Sequence, residues 1–392
     1  MKICFLSPFE DSMQRDTGAS VRIYNLAKGL AALGNDVELI MPSTQDYSQC
    51  VDGIKVYGVK GFLPINVLQI LKNIFDVLRA TALYFYDFGF VVKISRLLRD
   101  QDVVQIENPS SSLLLILLLK RVMKKPVIVD CHDVFQALRV GHTSLFRRIL
   151  ETFLEKQVYK NADLLLSVST QERDCLVSFG FHNSDIRIIP NGVDIIHLGK
   201  SHRLRQTRKE YNLEDSRIVV FVGNLNYAPN QEAIQLLSSK IAPKVAEKIY
   251  NVKFLVLGKL KSTLELPGLV FTGFVENLAD VLSISDVAVA PLFQGSGTRL
   301  KILDYFSCAL PVVSTSKGAE GLNVINGEHL LIEDDIDEFA MKIIALLQDD
   351  KLRNRLGNAG RELVIKEYIW PNIIKKLNVV YRELKSSHTP VH

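Results

Sequence analysis

A binding site for phosphate groups is predicted by the segment PLFQGSGTRLKILDYFSC (291–308), in which a short apolar strand leads through a Gly-Ser-Gly turn (295–297) into a helix. Glycine allows backbone conformations and close approaches that other residues do not. The start of a helix has N–H groups without intrahelical partners and a partial positive charge, so anions bind there. Arg299 and Lys301 add two cations at this end of the helix.

Asp304 follows in the same predicted helix, about two turns after the glycines. A carboxylate in this position can accept the hydroxyls of ribose while the helix start binds a diphosphate. Either Ser296 or Thr298 is expected to cap the helix. In an alternative interpretation, Lys301 and Asp304 pair with each other on a solvated face, which leaves the two glycines and Arg299 unexplained. The segment therefore predicts a nucleotide-diphosphate ligand whose binding requires no metal.

Polar residues also follow two strands predicted in the first half of the chain. VVQIENP places Glu107 and Asn108 after one strand, and PVIVDCHD places Asp130, His132 and Asp133 after the next. Because the fold does not require polar residues in such loops, the cluster favours a functional site. His132 can bind a sugar hydroxyl, or it can simply close the loop on a neighbouring aspartate. A metal site is disfavoured, since side chains of consecutive strand residues point to opposite faces.

Two further loops place glycines or amides after strands. Gly18 precedes an amphipathic helix and can present N–H groups to a ligand, although a helix start capped by Ser20 explains the sequence nearly as well. No G-x-G-x-x-G follows the first strand, which argues against a nicotinamide-dependent oxidoreductase. In FVGNLNYAPN, Gly223, Asn224 and Asn226 follow the first strand of the second half.

These loops are positioned by two series of alternating strands and helices. Short β-branched runs such as KICFLS and DVVQIE alternate with helix-length segments, which predicts parallel sheets buried on both faces. The pattern pauses at PNGVD (190–194) and then restarts with RIVVFVG. We expect two doubly wound α/β domains, residues 1–194 and 195–368, with ligands bound outside the carboxyl ends of the strands. The last helix, in 369–392, follows the complete set of strands of the second domain and is a candidate to cross back to the first domain.

Composition excludes several classes of protein. The chain of 392 residues exceeds one ordinary core, and its net charge of +4, without a basic stripe, argues against a nucleic-acid partner. Five scattered cysteines with neither metal spacing nor a disulfide framework favour a reducing, cytoplasmic location. The start, MKICFLSP, is typical of a strand and not of a signal peptide. No apolar run reaches the roughly 20 residues that span a bilayer.

Taken together, these motifs resemble the retaining glycosyltransferases of the GT-B fold in glycosyltransferase family 4. The resemblance covers nearly the whole chain and is carried by ADLLLSVSTQERDCLVSFG leading into IIPNGVD, by VFTGFV and LADVLSISDVAVAPL, and by GSGTRLKILDYFSCALPVVSTSKGAEGL. It implies an α/β architecture of two Rossmann-like domains facing a central cleft. The first domain would bind the acceptor and the second the nucleotide sugar. A hexose would be transferred with retention of configuration and without a metal or other cofactor.

The same resemblance implies roles for individual residues. Asp304 stands where the family has a glutamate that binds the ribose hydroxyls, and His132 where it has a histidine near the donor sugar. The catalytic candidates are His132, Arg299 and Lys301. The donor-binding candidates are Gly18, Gly223, Asn224, Asn226, Gly295, Ser296, Gly297, Thr298 and Asp304. The candidates on the acceptor side are Glu107, Asn108 and Asp133.

The chain departs from the family pattern in two places. The first glutamate of the E-x7-E motif is replaced by Ser296, which carries no negative charge. The arginine and lysine that many members have after the first strand of the second domain are replaced by GNLNYAPN. Arg299 and Lys301 are therefore expected to take over the binding of the diphosphate.

The acceptor is expected to be a glycan or a lipid-linked molecule, as in the synthesis of polysaccharides or glycolipids. Residues 93–160 contain twelve Lys or Arg and seven Asp or Glu, and an apolar, aromatic segment precedes them. Such a surface can bind an anionic membrane at its cytoplasmic face, and ordinary helix packing is the alternative. Other functions left open are a nucleotide-sugar-binding protein without transferase activity, a nucleotide-sugar 2-epimerase and, more distantly, a dehydrogenase.

Overall fold

In a computed structural model, the chain folds into two compact units. The first unit contains Met1–Asn191 together with Trp370–His392, and the second contains Gly192–Ile369. The structure describes residues 1–8, 12–13, 17–61, 88–107, 112–132, 134, 145–195, 201–259, 265–275, 277–295 and 298–388.

The first unit is built on an eight-stranded sheet in the order β3-β4-β2-β1-β5-β6-β7-β8, parallel except for β3, which pairs antiparallel with β4 at the edge. The strands are β1 Lys2–Leu6, β2 Asp36–Pro42, β3 Tyr47–Val51, β4 Ile54–Val59, β5 Val103–Glu107, β6 Val127–Cys131, β7 Leu164–Ser167 and β8 Ile186–Ile188. The helices are α1 Gly18–Ala32, α2 Phe88–Leu97, α3 Leu113–Leu117 with a π-helical turn Leu118–Val122, α4 Leu145–Asn161 and α5 Thr170–Ser178, followed by a 3₁₀ turn Asn183–Asp185.

The second unit has a six-stranded sheet in the order β11-β10-β9-β12-β13-β14, and every pair in it is parallel. Its strands are β9 Arg217–Val222, β10 Val252–Leu257, β11 Leu269–Gly273, β12 Val287–Ala290, β13 Val312–Ser314 and β14 Leu331–Ile332. Its helices are α6 Ser201–Glu210, α7 Ala228–Leu236, α8 Ala242–Ala246, α9 Leu278–Ile284, α10 Leu300–Ser307, α11 Ile336–Gln348 and α12 Asp350–Leu363. A π-helical turn, Leu237–Ile241, joins α7 to α8, and another, Val364–Tyr368, follows α12.

The central strands are buried on both faces, which explains their continuous apolar sequences. In β1, β5 and β6 nearly every residue is inaccessible to solvent, including Glu107 in β5 and Asp130 in β6. Parallel strands covered by helices on both sides have this composition. The predicted fold class, two doubly wound α/β units, is confirmed.

The first helix begins with a capping box. The side chain of Thr17 accepts a hydrogen bond from the N–H of Ser20 at 3.1 Å, and the N–H of Thr17 donates to the hydroxyl of Ser20 at 3.0 Å. Reciprocal bonds of this kind satisfy two N–H groups at a helix start. Thr17, and not Ser20, is therefore the cap, and Gly18 is the first residue of the helix.

The last helix, α13 (Trp370–His388), belongs to the first unit and packs against α1 and the sheet. Its buried apolar residues recur at helical spacing and include Trp370, Ile374 and Leu377. Gly29 of α1 makes the contact possible, because a Cβ atom there would lie 2.0 Å from the Cδ1 atom of Ile374. The helix also places a tyrosine hydroxyl inside the unit, at Tyr381.

Each sheet has a point at which the direction of its connections reverses. In the second unit the chain proceeds outward from β9 through β10 to β11, and then returns to β12 beside β9. In the first unit the reversal lies between β1 and β5. Ligands of open α/β sheets bind outside the carboxyl ends of the strands at such points. The residues after β9, β12, β1 and β5 are therefore the first to examine.

Within the described residues, the helices are each too short or too polar to cross a bilayer.

Candidate functional site

In the second unit, the candidate site lies where β9 and β12 end next to each other. Gly295, five residues beyond Ala290, the last ladder residue of β12, has a φ angle of 104°, which favours glycine. Helix α10 starts at Leu300, and Arg299 occupies the capping position without a side-chain cap bond. The prediction that Thr298 caps this helix is therefore wrong, and Ser296 and Gly297 lie outside the described residues.

Arg299 is folded back over the turn that precedes its helix. Its side chain is buried, at 7% exposure, and its Nη2 atom donates to the carbonyl of Gln294 at 3.3 Å. A Cβ atom on Gly295 would lie 3.0 Å from that Nη2 and 3.0 Å from the hydroxyl of Tyr227, so the glycine allows all three groups to meet. Arg299 therefore both supports the turn and supplies positive charge beside it.

Lys301 extends from α10 to the end of β9. Its Nζ atom donates to Oδ1 of Asn230 at 2.8 Å and lies 4.1 Å from the centre of the Phe221 ring. The amide of Asn230 donates in turn to the carbonyl of Asn224 at 2.9 Å. Burial and the nearby Arg299 lower the pKa of Lys301 to about 7. Among the described side chains no carboxylate forms an ion pair with Lys301, so its hydrogen-bond partner is neutral.

Asp304 lies farther along α10, and it makes no side-chain hydrogen bond or ion pair with the described residues. Burial, with a smaller contribution from the charge of Asp194, raises the pKa of Asp304 to about 7. Next to it, the hydroxyl of Tyr305 accepts the N–H of Val222 at 2.8 Å and holds the helix against β9. The alternative in which Lys301 pairs with Asp304 is not observed, because Lys301 bonds to Asn230 instead.

Glycines at two strand ends make this arrangement possible. A Cβ atom on Gly223 would lie 2.7 Å from Nδ2 of Asn230 and 3.0 Å from Nζ of Lys301. Gly258, which follows β10, has a φ angle of 154°, and a Cβ atom there would lie 1.7 Å from the carbonyl oxygen of Gly223. Glycine at both positions lets the backbone, the lysine and the asparagine pack together.

We expect Gly258→Ala to destabilise the second unit by about 3 kcal/mol or more, because the new methyl group would meet a backbone carbonyl that cannot rotate away. Gly273→Ala is the matched control: its φ angle is 72° but no atom lies within 4 Å of its Cβ position. That variant should cost only about 1–2 kcal/mol, the cost of the left-handed backbone. Urea denaturation of both variants measures the difference. Equal losses would contradict the contact with Gly223.

The first unit contains a buried charged cluster after β5 and β6. The side chain of His132 is 19% exposed, and its Nε2 atom lies 2.6 Å from Oε2 of Glu107 and 3.8 Å from Oδ2 of Asp130. Asp130 receives two bonds from Arg22, at 2.8 and 3.1 Å. Glu107 is inaccessible to solvent, and its carboxylate contacts His132. Asn108 and Asp133 lie outside the described residues.

The ligand atoms of Glu107, Asp130 and His132 all lie within 4.8 Å of one another, a spacing that a metal ion could bridge. Both oxygens of Asp130 already accept bonds from the guanidinium of Arg22. The two oxygens of Glu107 are bonded to Gln105 and His132. A cation would compete with Arg22 for Asp130 and with Gln105 and His132 for Glu107, so the donor set fits a metal poorly.

The structure brings several predicted residues of the second unit together: Gly223, Asn224, Gly295, Arg299 and Lys301. Asn226 lies at the surface, where its Nδ2 atom donates to Asn224 and to the carbonyl of Lys259 and so supports the loop. Gly18, Glu107 and His132 belong to the first unit. Their roles in binding stay predictions.

Sequence reasoning missed Tyr227 and Asn230, and it missed Arg22 in the first unit. Asn230 follows Pro229 in the first turn of α7. Proline in the first turn is a known sign of a helix start. Pro229 could therefore have indicated that the loop between β9 and α7 lies at a helix start and is a candidate binding site. No local signal announces Arg22, whose partner Asp130 is 108 residues away.

Two family models and several curated proteins match the sequence of this chain. The model for "Glycosyltransferase Family 4" matches residues 17–196, and the model for "Glycosyl transferases group 1" matches residues 216–349. The chain is 25% identical to a phosphatidyl-myo-inositol mannosyltransferase of Mycobacterium leprae, over 100% of this chain and 99% of that protein. It is 24% identical to the N-acetyl-alpha-D-glucosaminyl L-malate synthase of Bacillus anthracis over 52% of this chain, and it spans about half (55%) of that relative.

Solved structures show the same fold. Sucrose-phosphate synthase from Thermosynechococcus elongatus superposes with a TM-score of 0.76 at 19% identity, covering 99% of this chain and 100% of that one. HepE of Anabaena in complex with UDP-glucose superposes with a TM-score of 0.71 at 14% identity, covering 98% and 100%. The chain therefore belongs to the family 4, group 1 glycosyltransferases and has the GT-B fold.

Proposed function

We propose that this glycosyltransferase moves a hexose from a nucleotide-diphosphate sugar to an acceptor hydroxyl with retention of the anomeric configuration. The observation that carries the proposal is the pair of incompletely satisfied charges on helix α10. Lys301 has a neutral hydrogen-bond partner, and Asp304 has no hydrogen bond or ion pair among the described side chains. The diphosphate of a nucleotide would supply the anion that Lys301 lacks, and its ribose hydroxyls would supply the hydrogen-bond donors that Asp304 lacks, among the described side chains.

Lys301 is proposed to bind the diphosphate together with Arg299. A buried cation beside a neutral amide is costly for the protein unless an anion joins it. The Nζ atom of Lys301 lies 3.0 Å from the Cβ position of Gly223, and Nη2 of Arg299 lies 3.0 Å from that of Gly295, so the glycines let both cations approach the backbone of these turns. When the bond to the sugar breaks, negative charge develops on the departing diphosphate, and cations already in position stabilise it.

Asp304 is proposed to accept the two hydroxyls of ribose. Its carboxylate lies one helical turn beyond Lys301 on the same helix. Hydrogen bonds from the diol favour the charged form of the carboxyl group, which burial disfavours in the free protein. His132 of the first unit is proposed to act at the donor sugar, and the reaction is proposed to need no metal.

A screen of UDP-, GDP- and ADP-hexoses by calorimetry, with EDTA present, tests the donor. UDP-glucose is the first probe because HepE was solved with it. Binding in EDTA, followed by appearance of a product whose anomeric proton has the configuration of the donor by NMR, is the expected outcome. An inverted product, or binding that requires a divalent ion, would contradict the proposed mechanism.

Two rival functions give different results in the same assay. A nucleotide-sugar-binding protein without transferase activity would bind the donor and release neither UDP nor product with any acceptor. A 2-epimerase would convert the donor into its 2-epimer without an acceptor. Release of UDP that depends on an acceptor supports the transferase.

We further propose that the acceptor is lipid-linked and that α4 contacts an anionic membrane. Ile149 and Phe153 lie one turn apart on α4 and are 61% and 55% exposed. Val122, at the end of the neighbouring π-helical turn, is also exposed, and Arg121 beside it is basic. Apolar side chains next to basic ones bind anionic bilayers.

Sedimentation with vesicles of phosphatidylglycerol tests this surface. The wild-type protein should bind at low salt, and the double variant Ile149→Ser, Phe153→Ser should lose binding. Val177→Ser, on the exposed face of α5, is the matched control and should bind like the wild type. Binding that is unchanged in the double variant would exclude α4 as the membrane-binding helix.

Donor binding should be linked to protons, with opposite signs at the two groups. The free pKa of Lys301 is about 7, and a bound diphosphate raises it, so binding takes up a proton. The free pKa of Asp304 is about 7, and bound hydroxyls lower it, so binding releases a proton. In the wild type the two effects oppose each other.

The variant Asp304→Asn isolates the lysine. Its affinity for UDP-glucose should fall as the pH rises above 7, approaching about tenfold per pH unit, because the ammonium form is lost. Calorimetry in two buffers of different ionisation enthalpy measures proton uptake directly. Uptake that persists in Lys301→Met would show that another group is responsible.

A further inference from the structure

We infer that Glu107 is the positioning residue for His132, and that a buried chain of hydrogen bonds running from Tyr381 through Gln105 holds Glu107 in place. The inference rests on the proposed function, in which His132 acts at the donor sugar. It assigns to Glu107 a role that differs from contact with an acceptor.

The chain of hydrogen bonds runs through the interior of the first unit. The hydroxyl of Tyr381, on α13, donates to Oε1 of Gln105 on β5. Nε2 of Gln105 donates to Oε1 of Glu107 at 2.7 Å, and Oε2 of Glu107 lies 2.6 Å from Nε2 of His132. Tyr381, Gln105 and Glu107 are all inaccessible to solvent. Water therefore cannot replace any of these bonds.

The direction of each bond follows from the chemistry of its ends. Tyr381 donates to the carbonyl oxygen of Gln105, which leaves the amide nitrogen of Gln105 as a donor to Glu107. An ionised carboxylate only accepts, so the Nε2 atom of His132 carries the proton that it shares with Glu107. The Nδ1 atom has no bond to the described residues, and the ring is partly exposed. Nδ1 is therefore the nitrogen that meets a substrate.

Asp130 does not compete with Glu107 for this role. Its two oxygens accept the Nε and Nη2 atoms of Arg22 at 2.8 and 3.1 Å, and Arg22 is tied to the carbonyl of Pro190 at 2.9 Å. Its nearest approach to the ring of His132 is 3.8 Å, which is too long for a hydrogen bond. Asp130 acts on His132 through its charge alone. Glu107 acts on His132 through its charge and through a hydrogen bond.

The charges around His132 favour the imidazolium form. Burial alone lowers the pKa of His132, but the charges of Asp130 and Glu107 outweigh burial and the opposing charge of Arg22, and the pKa is raised. The hydroxyl of Tyr381 also lies within the field of these carboxylates. With Nε2–H held by Glu107, the imidazolium presents Nδ1–H as a donor. It can stabilise an oxygen of the donor that gains negative charge.

The variant Glu107→Gln tests the inference, because it keeps the shape of the side chain and removes its charge. The pKa of His132, followed by NMR of its ring protons and assigned with His132→Gln, should fall. The alkaline limit of kcat should move to lower pH, and kcat at pH 8 should fall about tenfold with the KM for the donor little changed. A histidine pKa and pH profile like those of the wild type would overturn the inference.

Two further variants keep the test valid if Glu107→Gln is unstable. Tyr381→Phe removes the bond that orients Gln105 and should shift the pH profile in the same direction by a smaller amount. Tyr368→Phe is the matched control: its buried hydroxyl accepts the N–H of Asn323 at 2.8 Å in the second unit, and it should leave the profile unchanged. Equal shifts in both tyrosine variants would indicate a general structural effect and overturn the inference.

The NMR measurement separates this inference from the proposed function. If the wild-type protein transfers no sugar but the pKa of His132 falls in Glu107→Gln, the proposed function fails and the pairing of Glu107 with His132 stands. If transfer occurs and the pKa does not move, the inference fails and the transferase stands.

Discussion

Replacing Lys301 with methionine should abolish use of the donor and, at the same time, make the ligand-free protein more stable. The lost charge would have stabilised the departing diphosphate, and losing such a contact typically costs about 2.7–4 kcal/mol, a fall of roughly 10²- to 10³-fold in kcat/KM. Stability should rise by about 1 kcal/mol, because a partly buried cation without an acidic partner is removed. Methionine puts an apolar side chain of similar length beside the ring of Phe221, whose centre lies 4.1 Å from Nζ of Lys301.

The expected fall in activity and rise in stability have opposite signs, and this distinguishes a lost binding residue from a damaged fold. If the substitution disrupted the second unit in general, both stability and activity would fall. If Lys301 binds the donor and its buried charge is unfavourable in the free protein, its replacement lowers activity without lowering stability. Thermal denaturation without ligand and steady-state kinetics measure them separately. Lys244→Met is the matched control, since that lysine pairs with Asp337 at 2.9 Å on the surface, and it should change neither quantity appreciably. Turnover near the wild-type value in Lys301→Met would refute the phosphate site.

Asp304→Asn should weaken donor binding about 10- to 100-fold, because hydrogen bonds to a charged group are worth about 1.5–3 kcal/mol. Asparagine has nearly the same shape as aspartate, so the loss of affinity measures the contribution of the charge and not a change in side-chain volume. The wild type should also discriminate against a donor with 2′-deoxyribose, and the variant should discriminate much less. Competition between the two donors in a single assay measures this ratio.

Asp194→Asn provides the control for the second prediction. Asp194 is exposed, and its charge contributes to the raised pKa of Asp304. Removing that charge lowers the pKa of Asp304, so more of the carboxylate is present at neutral pH and affinity should rise slightly. If Asp304→Asn bound both donors as the wild type does, the ribose would have to be held elsewhere.

The class of fold was predictable because its signal is local. A strand such as KICFLS is apolar from Ile3 to Leu6, where it is buried on both faces, and the helices that pack on the sheet have apolar faces of their own. The order of the strands has no such local signal. Whether β9 lies beside β12 or beside β13 depends on which buried surfaces fit together across the whole unit.

The candidate site shows the same division. The glycines, Arg299, Lys301 and Asp304 were predictable because they lie within ten residues of one another at a helix start. The cap at Thr298 was predicted wrongly, since the side chain of Arg299 turns back to Gln294 and the helix begins one residue later than a cap at Thr298 requires. Asn230, the partner of Lys301, is 71 residues away and could not be inferred from spacing.

By itself, the sequence determined that this chain has two parallel α/β units and a glycine-rich helix start with two cations and an acid, because periodicity and spacing act over a few residues. Only the tertiary structure decided that Lys301 has a neutral partner, that Asp304 has no hydrogen bond or ion pair among the described side chains, and that Glu107 is buried behind His132. The physical reason is desolvation. Whether a charge is stabilised or awaits a ligand depends on the groups that the fold brings around it from distant parts of the chain.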